Sequence, residues 1–185
     1  ESNKATEQSR RLEVQCDPHT GACLFYQSLR HMARIAKRNR RFRSKDEICR
    51  DIAFILSAPV SYGTKFAVLA DVVWVWSEFN GKIEGCPFWS RSAARRKSDR
   101  KQLMHEHAVP KRVVVEMLFS LKVPTESSVH TVLNHYCIGV VVTREEDAKL
   151  TQLGLRSRMP KDWDGSDPWA RYAKANIFVV RLKDN

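Results

Sequence analysis

A chain of 185 residues, 43% hydrophobic and 29% charged, is sized for one compact domain with a real core, which excludes long disorder. Seven Gly and seven Pro exclude collagen-like and linker-dominated chains, and every apolar run falls far short of the ~20 residues that span a bilayer. The outlying number is charge: 32 Lys plus Arg against 21 Asp plus Glu leave a net +11.

In chain order, residues 1–15 are polar and are expected to form a flexible N-terminal segment, with one globular domain over 16–185. From Cys23 the positions Leu24, Phe25, Leu29, Met32 and Ile35 approximate one helical face. Ser44-Lys-Asp-Glu47 is a capping-box sequence that opens a helix carrying Ile48, Ile52, Ile55 and Leu56, which stops near Pro59. Leu69, Val72, Val73 and Trp76 predict a buried helix within 63–79, although Val72 to Trp76 alone also reads as a strand. Asn80-Gly81 predicts a turn, Cys86-Pro87 a loop, and residues 89–97 a short basic helix. Beyond it, Leu103 to Val109 reads as a strand, and Val114, Met117, Leu118 and Leu121 repeat at helical spacing after Pro110. Thr125 caps a helix through about Tyr136, and Ile138 to Thr143 is β-branched and reads as a strand. Thr143-Arg-Glu-Glu146 is a second capping box, starting a helix that ends at Gly154. A helix over 168–175 behind Asp167-Pro168 and a strand over Ile177 to Leu182 close the chain. The sum is an α+β domain, helical in its N-terminal half, with a small β-sheet and helices in its C-terminal half.

The excess charge is concentrated. Arg34, Lys37, Arg38, Arg40, Arg41, Arg43 and Lys45 form one cluster without an acid, and Arg91, Arg95, Arg96, Lys97, Arg100 and Lys101 form another with Asp99 alone against them. Their contributions of +7 and +5 exceed the net +11, so the rest of the chain is nearly neutral. Dense like charge repels itself unless an anion offsets it, and guanidinium suits phosphate, so a nucleic acid is the expected partner, DNA ahead of RNA. Phe42, Phe88 and Trp89 lie in or beside these clusters as candidate base-stacking rings, whereas Trp74 and Trp76 read as core. Five widely spaced cysteines and a polar N-terminus without signal-peptide features point to reduced thiols and a cytoplasmic location, with no membrane partner. Cys16, His19 and Cys23 offer three zinc-ligand types without a nearby fourth.

The stretch Met104-His105-Glu106-His107-Ala108-Val109-Pro110 carries the most chemistry. On a strand, His105 and His107 point to one side and Glu106 to the other. Glu106-His107-Ala-Val-Pro110 resembles the E-H-x-x-P form of the HNH, or His-Me finger, nucleases, which include many bacterial and phage defence enzymes. That resemblance implies metal-dependent hydrolysis of phosphodiester bonds, with Glu106 as ligand to Mg2+ or Mn2+ and His107 as the general base that activates water. His105 would join Glu106 as a metal ligand, and on the helix from Thr125 either His130 or Asn134, at i and i+4 on one face, would complete the site. Helical periodicity at 111–121 falls where the finger's second strand would run.

Two other carboxylate groupings fit chemistry less well. Asp71, Glu78 and Lys82 have the residue types of a restriction-enzyme site but the wrong spacing. Asp162, Asp164 and Asp167 read as a turn followed by a helix cap rather than a calcium loop. The expectation is therefore a nucleic-acid-binding protein that acts as an HNH-like nuclease. The alternatives are a non-catalytic nucleic-acid binder using the two Arg-rich patches, or an adaptor for an acidic protein partner, with a homodimer as the other partner expectation.

Overall fold

The computed structural model describes residues 44–182. The expectations for the N-terminal segment, the helix from Cys23, the Cys16, His19 and Cys23 ligands, Phe42, and the cationic residues Arg34, Lys37, Arg38, Arg40, Arg41 and Arg43 all lie outside the described residues.

The first part of the described chain is helical. Helix α1 (Lys45–Ser57) starts where the Ser44 hydroxyl accepts a hydrogen bond from the Glu47 amide at 3.1 Å. It stops at Ala58, just before Pro59. Helix α2 (Tyr62–Ser77) buries Leu69, Val73 and Trp76, which share one face at helical spacing. That stripe keeps Val72 to Trp76 helical, because its partners are the apolar faces of α1 and of two later helices, α4 (Lys111–Phe119) and α5 (Glu126–Tyr136). These four helices enclose the larger core, in which Ile48, Ile52, Leu69, Val114, Leu118, Val129 and Leu133 are buried.

A four-stranded sheet lies beside this helical layer, in the order β2-β3-β1-β4. Strand β1 (Phe88–Ser90) runs parallel to β3 (Gly139–Thr143) and antiparallel to β4 (Val179–Arg181), while β2 (Leu103–His107) runs antiparallel to β3. Every residue of β3 is buried, as expected of a short β-branched strand inside a sheet. One sheet face packs Val140, Val142 and Ala108 against Leu150 of α6 (Arg144–Gln152), Tyr172 of α7 (Ala170–Lys174) and Ile177, which follows α7. The opposite face packs Val141, Leu103 and Trp89 against Ala93 and Cys86. The α+β expectation holds. Among the described residues, no helix is long and apolar enough to cross a membrane.

The strands read over Leu103 to Val109 and Ile177 to Leu182 are shorter, Leu103–His107 and Val179–Arg181, and two helix starts differ for local reasons. The basic helix predicted over 89–97 loses its start to strand β1, because Trp89 pairs with both Val141 and Val180. Ser90 then caps the short helix α3 (Arg91–Arg95), its hydroxyl accepting from the Ala93 amide at 3.0 Å. Near the C-terminus Asp167 does not cap the helix directly. Its carboxylate accepts from the Trp169 amide at 2.9 Å in a turn, and α7 begins only at Ala170.

Helices α6 and α7 end alike. In α6, Gly154 has φ +70°, its amide bonds the Thr151 carbonyl, and Leu155 bonds back to Leu150 at 2.8 Å. In α7, Asn176 has φ 50°, its amide bonds the Ala173 carbonyl, and Ile177 bonds back to Tyr172 at 2.8 Å. Both are Schellman stops, and both place an apolar residue back onto the sheet. Gly154→Ala should therefore cost about 1 kcal/mol, a strain of backbone alone, since open space surrounds the position where its Cβ would lie. A denaturant titration that shows no loss would contradict this reading of the turn.

Candidate functional site

Strand β2 divides the His-Glu-His stretch between the two sheet faces, as its alternation predicts. On one face, the rings of His105 and His107 lie edge to face with centroids 5.4 Å apart, and Trp74 of α2 packs on both, at 5.9 and 4.5 Å. His107 is 3% exposed. Its Nε2 lies 2.7 Å from the Ser77 hydroxyl, whose oxygen is also 3.0 Å from the Trp74 carbonyl. The hydroxyl has a single proton. Donating it to the carbonyl leaves the oxygen to accept from Nε2–H, which fits a neutral imidazole.

Beside this pair, His105 Nδ1 is 3.9 Å from Glu78 Oε1, and Glu78 in turn lies 3.2 Å from Lys82. Neither His105 nitrogen has a hydrogen-bond partner of good geometry among the described residues. Its ring occupies space that glycine leaves open, since a Cβ on Gly139 would fall 2.3 Å from His105 Nε2. Lys82 and Lys111 approach the Trp74 ring, at 5.8 and 5.3 Å.

Burial and these cations keep both rings uncharged. Burial lowers the His105 pKa to about 4, helped by Lys82, while a weaker backbone interaction with Ser77 opposes it. Burial also lowers His107 to about 3, with His105, Lys111 and Arg171 acting in the same direction.

Glu106 lies on the other face. Its Oε2 accepts from Arg171 at 2.9 Å and from the Tyr172 hydroxyl at 3.1 Å. Arg171 is fully buried and Glu106 is 17% exposed. Burial raises the Glu106 pKa, and the Arg171 charge and the two hydrogen bonds oppose that rise. Tyr172 is held well above its ordinary value by burial and by Glu106, so it remains a hydrogen-bond donor.

The metal set implied by the HNH resemblance is not brought together. Glu106 and His105 project from opposite faces of the sheet. His130 of α5 packs edge-on against Trp76, at 5.6 Å, whereas both histidines of β2 pack against Trp74. Trp74 and Trp76 are two residues apart on α2 and so point about 200° apart, which puts His130 on the other flank of that helix. Asn134 is exposed on α5. Among the described residues, no group of three or more His, Cys, Asp or Glu is arranged to hold a metal ion. These four residues therefore do not fit one shared Mg2+ or Mn2+, and the intended base, His107, meets Ser77 and Trp74 rather than a metal ligand.

Of the other groupings, Glu78 and Lys82 form an ion pair beside His105, and Asp71 is exposed on α2. Asp164 accepts from the Ser166 amide and hydroxyl at 2.8 and 2.7 Å, as a turn requires. Cys49, Cys86 and Cys137 are buried free thiols, with pKa values raised by burial to about 11, 11 and 12.

The second basic cluster is all on the surface. Arg91, Arg95, Arg96, Lys97, Arg100 and Lys101 are exposed along α3 and the 3-10 turn Arg100–Gln102. Among the described residues, the ion pairs reach two of them, Arg96 with Glu145 and Arg100 with Glu84, at 2.9 and 2.8 Å. Arg91 follows the end of β1, Lys101 precedes the start of β2, and Arg144 follows the end of β3. All three therefore lie at one end of the sheet. The Arg144 side chain donates to the Lys101 carbonyl at 2.7 Å, adding a cation the sequence reading left out. Glu146 ties this edge together, since its Oε2 accepts from the Ser90 hydroxyl at 2.5 Å and from the Thr143 amide at 2.9 Å. Sequence spacing could not reveal Arg144, Ser77 or Arg171 as members of these groups, because each partner lies 30 or more residues away.

Comparison with protein families, curated proteins and solved structures finds no match to this chain.

The two buried imidazoles set an acid limit on stability. Each is neutral in the folded chain, whereas an unfolded histidine protonates near pH 6.5. The unfolded state thus binds more protons as pH falls, so this stability is complete above about pH 6.5 and is lost on the way to about 4 and 3. The unfolding free energy from urea titrations should fall below pH 6.5, and the midpoint with it, with a slope of up to about 1.4 kcal/mol per pH unit for each histidine. His105→Gln should flatten that slope. A midpoint constant between pH 6.5 and 5 would refute the burial of these rings.

Proposed function

We propose that this protein binds nucleic acid through its exposed cationic segment 91–101, extended by Arg144, and that the Glu106-His107-x-x-Pro110 stretch is a folding element. The observation that carries the reading is the placement of seven cationic side chains on the surface at one sheet end, with ion pairs to acids at two of the segment's six among the described residues. Phosphates would offset this repulsion, and arginine forks can take two phosphate oxygens each. Binding is favoured over hydrolysis because Glu106 is committed to Arg171 and His107 to Ser77, on opposite faces of one strand. Three buried free thiols support a reducing, cytoplasmic setting.

Fluorescence anisotropy with labelled DNA and RNA oligonucleotides across 50 to 250 mM salt tests this directly. Affinity should fall steeply with salt and be unaffected by EDTA. Replacing Arg95, Lys97 and Lys101 together by Glu should weaken binding at least about tenfold and flatten the log–log salt slope by roughly two to three. Plasmid and RNA should stay intact with Mg2+ or Mn2+. Cleavage that needs metal and is lost in His107→Ala would restore the nuclease reading. Failure to bind any nucleic acid at 50 mM salt would favour an acidic protein partner.

A further inference from the structure

Next to the cationic segment lies a cavity of about 550 Å³, lined by Phe88, Trp169, Tyr172, Phe178 and Arg181, with Asn176 on its rim. Phe88 and Trp169 are half-buried beside it, Tyr172 is buried, and Phe178 is exposed. Phe88 and Trp169 meet edge to face at 5.3 Å, and Trp169 lies 6.3 Å from Tyr172. Phe178 is 63% exposed, an unusual position for a phenylalanine beside free apolar space. Cations flank these rings: the Arg181 guanidinium is 6.0 Å from the Phe88 ring, and that of Arg91 is 5.3 Å from Phe178. The Arg91 amide also bonds the Phe178 carbonyl at 2.8 Å, so the cavity wall and the first residue of the cationic segment are joined.

From this juxtaposition we infer that the cavity takes an unpaired nucleobase of a single-stranded segment, stacked on Phe178 and its neighbouring rings while the flanking phosphates run along Arg91 and the segment behind it. This rests on the nucleic-acid reading above and narrows it to single strands. A base offers a flat π-face to aromatic rings and to guanidinium, and its backbone supplies the anions that the rim lacks. In a duplex the base is stacked and paired, so only an extruded or unpaired base could enter. The device that opens the cavity is local: the left-handed Asn176 ends α7 sharply, leaving Phe178 to project just before β4 pairs with β1.

The test compares a 15-nucleotide single strand, the same strand with its central bases removed as abasic sites, and the matching duplex, each labelled for anisotropy. The wild-type chain should bind the intact strand at least about tenfold tighter than the abasic one. Phe178→Ala, a change at an exposed side chain, should erase that difference while leaving duplex affinity unchanged. In the wild-type chain, a strand carrying 4-thiouridine should photocrosslink to Phe178 or Trp169. Equal affinity for intact and abasic strands, with no crosslink at these rings and normal duplex binding, would overturn the inference and leave the phosphate-binding reading standing. Loss of binding to every strand and to the duplex would overturn both.

Discussion

The ion pair between Glu106 and Arg171 is the constraint on which the architecture turns. Arg171 is among the largest fully buried side chains of the described residues, and a buried guanidinium without a counter-charge is not tolerated. Its carboxylate partner comes from an edge strand, so the pair fixes α7 against the sheet and chooses which face of β2 holds Glu106. Tyr172, next in sequence, adds its hydroxyl to the same oxygen. Through α7 the pair also positions Trp169 and the Asn176 turn, and hence the wall of the aromatic cavity.

Strand alternation then decides the chemistry of the neighbouring histidines. With Glu106 turned toward Arg171, His105 and His107 must face α2, where Trp74, Ser77 and the close approach over Gly139 enclose them. Lysines beside Trp74 make protonation there still less favourable. A metal-bound acid and its adjacent general base need the opposite arrangement, with both groups turned to one accessible space. The proposed binding surface lies at the other end of β2, where Lys101, Arg144 and α3 gather.

Much of the fold was legible in the sequence because it rests on local signals. Ser44, Thr125 and Thr143 mark helix starts through hydrogen bonds three residues long, and Gly154 marks a stop through its φ. The β-branched run Gly139–Thr143 reads as a buried strand for an equally local reason. Strand β1 was hidden because Trp89 and Ser90 lead straight into a helix, and only pairing with Val141 and Val180 makes them a strand. For the candidate site, spacing foresaw the split of His105 and His107 from Glu106 and the exposed cationic segment. It could not foresee which partners receive those side chains. Arg171 lies 65 residues from Glu106 and Ser77 lies 30 from His107, so the short E-H-x-x-P match carried no information about either.

The most direct measurement is a double-mutant cycle on this pair by urea denaturation, using Glu106→Gln, Arg171→Met and the combined variant. Glu106→Gln alone should cost about 3–5 kcal/mol, since it strands a buried charge, and the double variant should recover at least about 2 kcal/mol of the summed losses. Additive losses, or a Glu106→Gln protein as stable as the wild type, would contradict the assignment of Glu106 to the fold and return it to the list of metal ligands.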